Sequence, residues 1–196
     1  WSYLDSDFVE NDFIRKKPNA TNFKFLFIDE INKRIFVKPG KWNINQSLII
    51  PKGYKVIAKE GTQLNLSNFA KILSYSSFEF LGTEEKPIII NSPDSTGQGV
   101  IVMNANRASL LENVVFENLS APSQSGWELT GAVTFYEAPV SIYNCKFISN
   151  RAEDALNIVR SEFTIDKSSF IQAYSDAFDA DFSKGSITNC FFINSK

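Results

Sequence analysis

Short runs in which apolar and polar residues alternate recur through the second half of the chain. One apolar position returns after 23 and then 22 residues, at Ile142, Ile165 and Ile187. A second position repeats with the same spacing, at Val133, Leu156 and Phe178. A period just above 20 residues, built from short strand-like runs, predicts a solenoid in which each turn is one repeat.

The first half lacks this clear repeat but contains the same kind of short strands. Leu48–Ile50, Lys55–Ile57 and Gln63–Leu66 are separated by turn residues such as Pro51 and Gly61. Strands this short also fit a sandwich or a barrel. The repeats downstream favour a helix of strands for this region too.

The leading residues do not follow the repeat. Residues 23–28 alternate like a strand, residues 29–33 favour a turn, residues 34–37 favour a second strand, and residues 6–14 favour a short helix. A segment without the repeat, N-terminal to a solenoid, is typical of a cap. We therefore predict an N-terminal cap over residues 1–34 and β-helix coils over residues 35–196, continuing in further coils of a larger, exported, bacterial parent protein.

Two stretches carry a specific resemblance. Residues 49–66 (IIPKGYKVIAKEGTQLNL) and 78–90 (FEFLGTEEKPIII) resemble the opening coils of right-handed parallel β-helix proteins of the pectin lyase-like superfamily, and residues 141–147 (SIYNCKF) and 154–159 (DALNIV) resemble their short repeat. The resemblance covers roughly residues 35–196. It implies an all-β, single-stranded, right-handed parallel β-helix, an extracellular or cell-surface location, and an outer face that holds polysaccharide or calcium, but it specifies no activity.

The side on which each side chain of a coil lies is predicted from the alternation of side chains along a strand. Ile142, Cys145 and Phe147 are all expected inside, although strict alternation cannot place positions three apart on one side. A bend at Tyr143 and Asn144 must reset the phase, because Asn tolerates a left-handed corner. Stacked Asn side chains are familiar at such corners in the superfamily. The equivalent positions in the next coils are Lys167 and Asn189, so the lysine is expected to interrupt the ladder.

The two cysteines occupy the same slot two turns apart. At ~4.8 Å per rung, the Cα atoms of Cys145 and Cys190 are expected ~9.6 Å apart, which exceeds the roughly 4.4–6.8 Å that a disulfide needs. We expect two reduced core residues with Ser168 stacked between them.

Composition and charge exclude several functions. The net charge of −2 is built from mixed charges, which argues against a nucleic-acid surface, and no run approaches the ~18 apolar residues of a membrane span. The chain has no histidine, the commonest general base and zinc ligand. It also lacks the Arg-x-Pro-x-x-Arg pattern of pectate lyases and the Gly-His-Gly motif of polygalacturonases.

The candidate binding residues lie on one outward face. Alternation places Ala132, Ala155 and Ala177 outside, beside a polar column of neighbouring coils. Calcium or a polysaccharide would bind there through an acidic segment whose carboxylates are oxygen ligands; the alternative is an ordinary solvated polar face. The predicted binding residues are Thr134, Asn157, Asp176, Asp179, Asp181 and Trp127, with Asp176, Asp179 and Asp181 as the calcium ligands.

Catalysis by the same face is the alternative hypothesis. Asp179 and Asp181 are expected ~6.6 Å apart along their strand, within the roughly 6.5–9.5 Å of an inverting glycosidase pair. Arg160 would neutralise a uronic-acid carboxylate, or form a local ion pair with Asp181.

The one large insertion, residues 120–127, is a loop by composition. Trp127 at its end either stacks on a sugar ring or pins the loop to the body.

Two functions remain open from the sequence. The first is a non-catalytic β-helix module that binds polysaccharide or acts as a structural spacer. The second is a lyase or glycoside hydrolase that acts on an acidic polysaccharide. Neither needs a cofactor other than calcium.

Overall fold

The computed structural model describes residues 13–194. Within them, nearly all regular structure is strand, and the helices are two 3₁₀ turns at Phe13–Arg15 and Ala20–Asn22, each far too short to cross a bilayer. In chain order the strands are β1 (Leu26–Asp29), β2 (Arg34–Val37), β3 (Gly40–Ile44), β4 (Leu48–Ile50), β5 (Lys55–Lys59), β6 (Thr62–Leu66), β7 (Ile72–Ser74), β8 (Ser77–Leu81), β9 (Ile88–Asn91), β10 (Val100–Met103), β11 (Ser109–Glu112), β12 (Val114–Glu117), β13 (Ser123–Gln124), β14 (Trp127–Glu128), β15 (Gly131–Tyr136), β16 (Val140–Tyr143), β17 (Lys146–Ile148), β18 (Asp154–Val159), β19 (Glu162–Asp166), β20 (Ser169–Ile171), β21 (Asp176–Asp181), β22 (Lys184–Thr188) and β23 (Phe191–Ile193).

Three long sheets run side by side along the molecule. Sheet 1 has the order β1-β2-β5-β8-β11-β16-β19-β22, sheet 2 the order β3-β6-β9-β12-β17-β20-β23, and sheet 3 the order β4-β7-β10-β15-β18-β21. Each turn of chain gives one strand to each sheet, for about seven turns. All pairings in these sheets are parallel except β1 with β2. The chain is therefore a parallel β-helix, as the repeat predicted.

The predicted core columns are confirmed by the register. Ile142 pairs with Ile165, which pairs with Ile187. The Phe column also stacks, with ring centroids 4.8 Å apart between Phe147 and Phe170. Phe170 is fully buried. The columns thus repeat at the rung spacing and are buried in the coils of Ile142 and Ile165. Ile187 and Phe192 continue them in register but are 38% and 51% exposed, so the prediction that these two residues lie in the core is wrong.

The predicted corner is also present. Asn144, Lys167 and Asn189 have φ values of 50°, 51° and 52°. The Asn144 side-chain amide donates to the Oδ1 atom of Asn113 at 2.6 Å, so the ladder begins one coil earlier. Lys167 interrupts it, and its Nζ donates instead to the Tyr143 hydroxyl.

Both cysteines are free, as expected, and Cys145 lies fully inside the core. Cys190 is only half-buried and packs against the edge of the core, which corrects the expectation of a second core residue. The hydroxyl of Ser168 accepts a hydrogen bond from the Cys145 backbone N–H, which places the serine in the neighbouring rung as expected. Burial raises the pKa of the Cys145 thiol to about 12.

The leading segment is described only in part. The predicted helix at residues 6–14 lies almost entirely outside the described residues. The two predicted strands are present as the antiparallel pair β1 and β2, and Phe23 and Phe25 join the core. The role of residues 1–34 as a cap stays a prediction.

Candidate functional site

The outer face of sheet 3 carries one continuous column of side chains through six coils. The register aligns Ile49, Leu73, Ile101, Thr134, Asn157 and Asp179 in that order. The column is apolar in its first three positions and polar in its last three. The predicted polar column is therefore real, but it continues an apolar one.

The apolar half is covered by two distant segments. Ile49, Leu73 and Ile101 form a second buried cluster with Phe13. Trp127 packs on this cluster, and its ring centroid lies 5.4 Å from that of Phe13. Of the two roles predicted for Trp127, the structure shows the pinning one. The insertion that carries it is not a plain loop, since β13 and β14 pair as a small antiparallel hairpin.

The polar half begins where the strand alternation breaks. A Cβ atom on Gly131 would meet Thr134 Oγ1 and Asn157 Cβ, each at 2.7 Å, so Gly131 lies on the outer side together with Thr134. Two consecutive residues between them, Ala132 and Val133, are both in the core. Glycine fits here because any side chain would collide with these neighbours.

This break corrects the prediction for three alanines. Ala132, Ala155 and Ala177 were expected on the outer face, yet all three belong to the main core. Positions three apart, rather than two apart, share the outer side at the start of these strands. The flat, alanine-lined groove that alternation predicted is therefore wrong.

The same break brings an unpredicted carboxylate into the site. Asp154 aligns with Gly131 and with Asp176, and its Oδ2 accepts a hydrogen bond of 3.0 Å from the Asn157 side-chain amide. Asp154 is only 3% exposed. The sequence signal was the spacing shared by Asp154 with Asn157 and by Asp176 with Asp179, which the assumption of alternation concealed.

Asn157 and Thr134 are buried rather than exposed, with 4% and 2% of their surfaces accessible. Asn157 Nδ2 also donates to the hydroxyl of Thr130, at the end of the insertion, at 3.0 Å. The Thr134 hydroxyl donates to the Gly131 carbonyl oxygen. Asn157 Oδ1, in contrast, is buried and accepts no hydrogen bond. An unpartnered buried acceptor of this kind calls for a donor.

The acidic segment is more open than the two coils before it. Asp176 and Asp181 are exposed and Asp179 is half-buried. Asp179 Oδ1 accepts a hydrogen bond of 2.7 Å from the Ala180 backbone N–H. Within residues 13–194, no group of three or more His, Cys, Asp or Glu side chains is arranged to hold a metal ion. A calcium ion at Asp176, Asp179 and Asp181 would thus need oxygens from elsewhere.

Arg160 does not form the ion pair that we expected with Asp181. Its guanidinium lies 3.6 Å from the Glu137 carboxylate, donates to the Tyr136 hydroxyl, and sits 6.0 Å above the centre of the Phe182 ring. Arg160 occupies a left-handed corner, with φ at 49°. The bond to Asp181 is a backbone one, from the Arg160 N–H to the Asp181 carbonyl.

No family model matches this chain, and searches of curated proteins and of solved structures find no match either.

Proposed function

We propose that this chain is a non-catalytic β-helix module of an exported protein, related to the pectin lyase-like superfamily, which binds polysaccharide on the polar half of sheet 3. The observation that supports this is the row of oxygen-rich side chains in register across neighbouring coils. Thr134, Asn157 and Asp179 form one line of it, and Asp154 and Asp176 form a second.

The chemistry of this row suits a sugar. Carboxylate oxygens accept hydrogen bonds from hydroxyl groups, and Asp176 is exposed and Asp179 half-buried. Rungs repeat every ~4.8 Å along the helix axis. Thr134 and Asn157 are only 2% and 4% exposed, so a glycan would contact the row at Asp176 and Asp179 and pass over the two coils before them. None of the ion pairs among the described residues uses Asp154, Asp176 or Asp179.

A neutral glycan fits this surface better than an acidic one. Three carboxylates without paired cations repel a uronate, unless calcium bridges the two. Calcium takes 6–8 oxygen ligands at about 2.3–2.6 Å, which glycan oxygens and water would complete. Calcium is therefore part of the proposal only where the bound glycan is acidic.

Binding is tested by isothermal titration of neutral and uronic-acid polysaccharides, with and without Ca²⁺. Asp179→Asn removes one charge from the row, and Glu162→Gln is the matched control because Glu162 is exposed on sheet 1. We expect at least one polysaccharide to bind, Asp179→Asn to weaken that binding by about 10-fold or more, and the control to bind like the parent.

The same panel separates this proposal from the alternatives. An ultraviolet-absorbing unsaturated product from a uronic-acid polysaccharide would show that the chain is a lyase. New reducing ends from any polysaccharide would show that it is a hydrolase. Binding that Asp179→Asn leaves unchanged would move the glycan to another face. No binding and no turnover would leave the structural spacer.

A further inference from the structure

Lys71 is a buried cation that pairs with no carboxylate of residues 13–194. It lies immediately before β7 and is 2% exposed, although lysine is almost never fully buried unless paired. Its Nζ contacts the Phe69 carbonyl oxygen at 3.4 Å and the Gln124 Oε1 atom at 3.3 Å, both long for hydrogen bonds. It also lies 4.6 Å from the centre of the Phe13 ring. All three contacts are with neutral groups.

Lys71 lines a pocket of about 420 Å³ beside the apolar half of sheet 3. Two further cations, Lys16 and Lys17, line the same pocket and are exposed. Gln46 and Asn68 also line the pocket, and the Asn68 side-chain amide donates one hydrogen bond to the Asn45 carbonyl oxygen at 3.2 Å. None of the described residues that line the pocket is acidic.

This arrangement is unfavourable while the pocket contains only water. Burial, and to a smaller extent the charge of Lys16, lower the pKa of Lys71 to about 8. At a pH of about 8, half of the Lys71 side chains therefore carry a positive charge. A buried charge is normally offset by a partner of opposite sign, and among residues 13–194 none lines the pocket.

We propose that this pocket is an anion-binding site, in which Lys71, assisted by Lys16 and Lys17, binds an oxyanion: a carboxylate, sulfate or phosphate group. The amide groups of Gln46 and Asn68 would donate to its remaining oxygens, since oxyanions accept several charge-assisted hydrogen bonds. The group is either a free ion or a substituent of an acidic glycan. The site is separate from the acidic row at Asp176 and Asp179, which has the opposite charge.

The test compares the full chain with Lys71→Met, which keeps most of the volume and removes the charge, and with Lys146→Met as the matched control. Lys146 is exposed on sheet 2 and takes part in none of the ion pairs among residues 13–194. Thermal unfolding and titration calorimetry are run at pH 7 with millimolar sulfate, phosphate, a galacturonate trisaccharide and a sulfated disaccharide. Chloride at matched ionic strength corrects for general salt effects.

We expect at least one probe to bind the parent and the control alike and to raise their melting temperatures. Lys71→Met should bind it about 10-fold to 100-fold more weakly, the range for one charge-assisted hydrogen bond. Binding of inorganic ions identifies a free anion. Binding of only the saccharides identifies an anion carried by a glycan.

Two results would overturn the proposal: no probe binds the parent, or Lys71→Met binds as tightly as the parent. Should Lys71→Met not fold, the double variant Lys16→Gln/Lys17→Gln gives the answer, because both residues are exposed and their replacement leaves the core intact. Binding unaffected by the double variant and by salt concentration would then contradict an electrostatic site. Asp179→Asn should leave this binding unchanged, so failure here and failure of the polysaccharide face are distinguishable.

Discussion

The two halves of the outer face of sheet 3 differ, although the inner face of the same sheet does not. Inside, the six strands present apolar residues to one continuous core from Leu48 to Phe178. Outside, the column is apolar up to Ile101 and polar from Thr134 onwards. The change occurs where the insertion at residues 120–127 leaves the helix.

The comparison distinguishes the inward-facing residues, which stabilise the fold, from the outward-facing residues, which are freer to vary. Every coil must fill the inside, because each rung is stabilised by burying its apolar side chains against the next. The outside is constrained only where another segment covers it, as Phe13 and Trp127 do. In the polar half only the last coil is open, with Asp176 and Asp181 exposed and Asp179 half-buried. Residues of this coil are freer to carry chemistry, and the proposed ligand is placed there for that reason.

The largest effect is expected from placing a charge in the covered half. Leu73→Asp buries a carboxylate among apolar side chains at a position that is fully inaccessible. We expect a loss of about 4 kcal/mol or more in the free energy of unfolding, or failure to fold, because an unpaired buried charge is strongly unfavourable. Denaturant unfolding measures it.

Leu73→Ala is the control, since it removes the same packing without adding a charge. It should cost about 2–3 kcal/mol. Equal losses for the two variants would mean that Leu73 is hydrated in solution and that the apolar half is not covered.

Removing the cover itself should have the next largest effect. Trp127→Ala deletes the ring that packs against Phe13 and the cluster below it. Because Trp127 is only half-buried, we expect a loss of about 2 kcal/mol rather than the full value for a buried tryptophan. Denaturant unfolding measures the loss, and limited proteolysis should show faster cleavage near Gly126. Phe69→Ala, at a position that is 66% exposed, should change stability by less than about 0.5 kcal/mol.

The inward-facing residues of the coils could be predicted from the sequence much better than the outward-facing ones. The period of 22–23 residues follows from repeated burial, so Ile142, Phe147 and Cys145 could be placed from pattern alone. The outer alanines could not, because the phase break between Gly131 and Thr134 depends on close contact with Asn157 in the next coil. Alternation is a local rule, and this contact is between residues far apart in the chain.

The contacts that cover the apolar half of sheet 3 could not be predicted from the sequence, for the same reason. The contact between Phe13 and Trp127 joins residues separated by most of the chain, and Lys71 is buried by Gln124, which is 53 residues away. A lysine beside an apolar run is normally assigned to the surface. The acidic row was partly predicted, through Asn157, Asp176 and Asp179, because its members repeat in step with the core.

The charge of Lys71 makes the covered half sensitive to pH. Its pKa is about 8 in the folded protein and ordinarily 10.5. Between these values the unfolded chain binds a proton that the folded chain has lost, so the free energy of unfolding rises with pH through this window. Below pH 8 both states are protonated and this contribution no longer changes.

We expect that rise to be about 1–2 kcal/mol, allowing for screening at the pocket mouth. Denaturant unfolding is measured from pH 7 to pH 10 for the parent and for Lys71→Met, and the free energy of unfolding of the variant is subtracted from that of the parent. The rise should appear in this difference, because the contributions of the other lysines and of the tyrosines, including Lys16 and Lys17, cancel. The variant should also be more stable than the parent at pH 7. A difference that stays constant with pH would mean that Lys71 is solvated and titrates at its usual value.

The smallest effect on stability should come from extending the apolar half by one rung. Thr134→Val replaces the hydroxyl that donates to the Gly131 carbonyl at 3.2 Å by a methyl group of similar size. Since this hydrogen bond is long and the position is already buried, we expect a loss of only about 0.5–1 kcal/mol. Polysaccharide affinity, measured by calorimetry, should stay unchanged, because the Thr134 side chain is only 2% exposed and its hydroxyl is bonded within the protein. Ser141→Val, on the outer face of sheet 1 and half-buried, is the control and should also leave the affinity unchanged. Loss of stability by several kcal/mol would instead place Thr134 among the residues that hold the fold, and the boundary between the two halves would then lie beyond it.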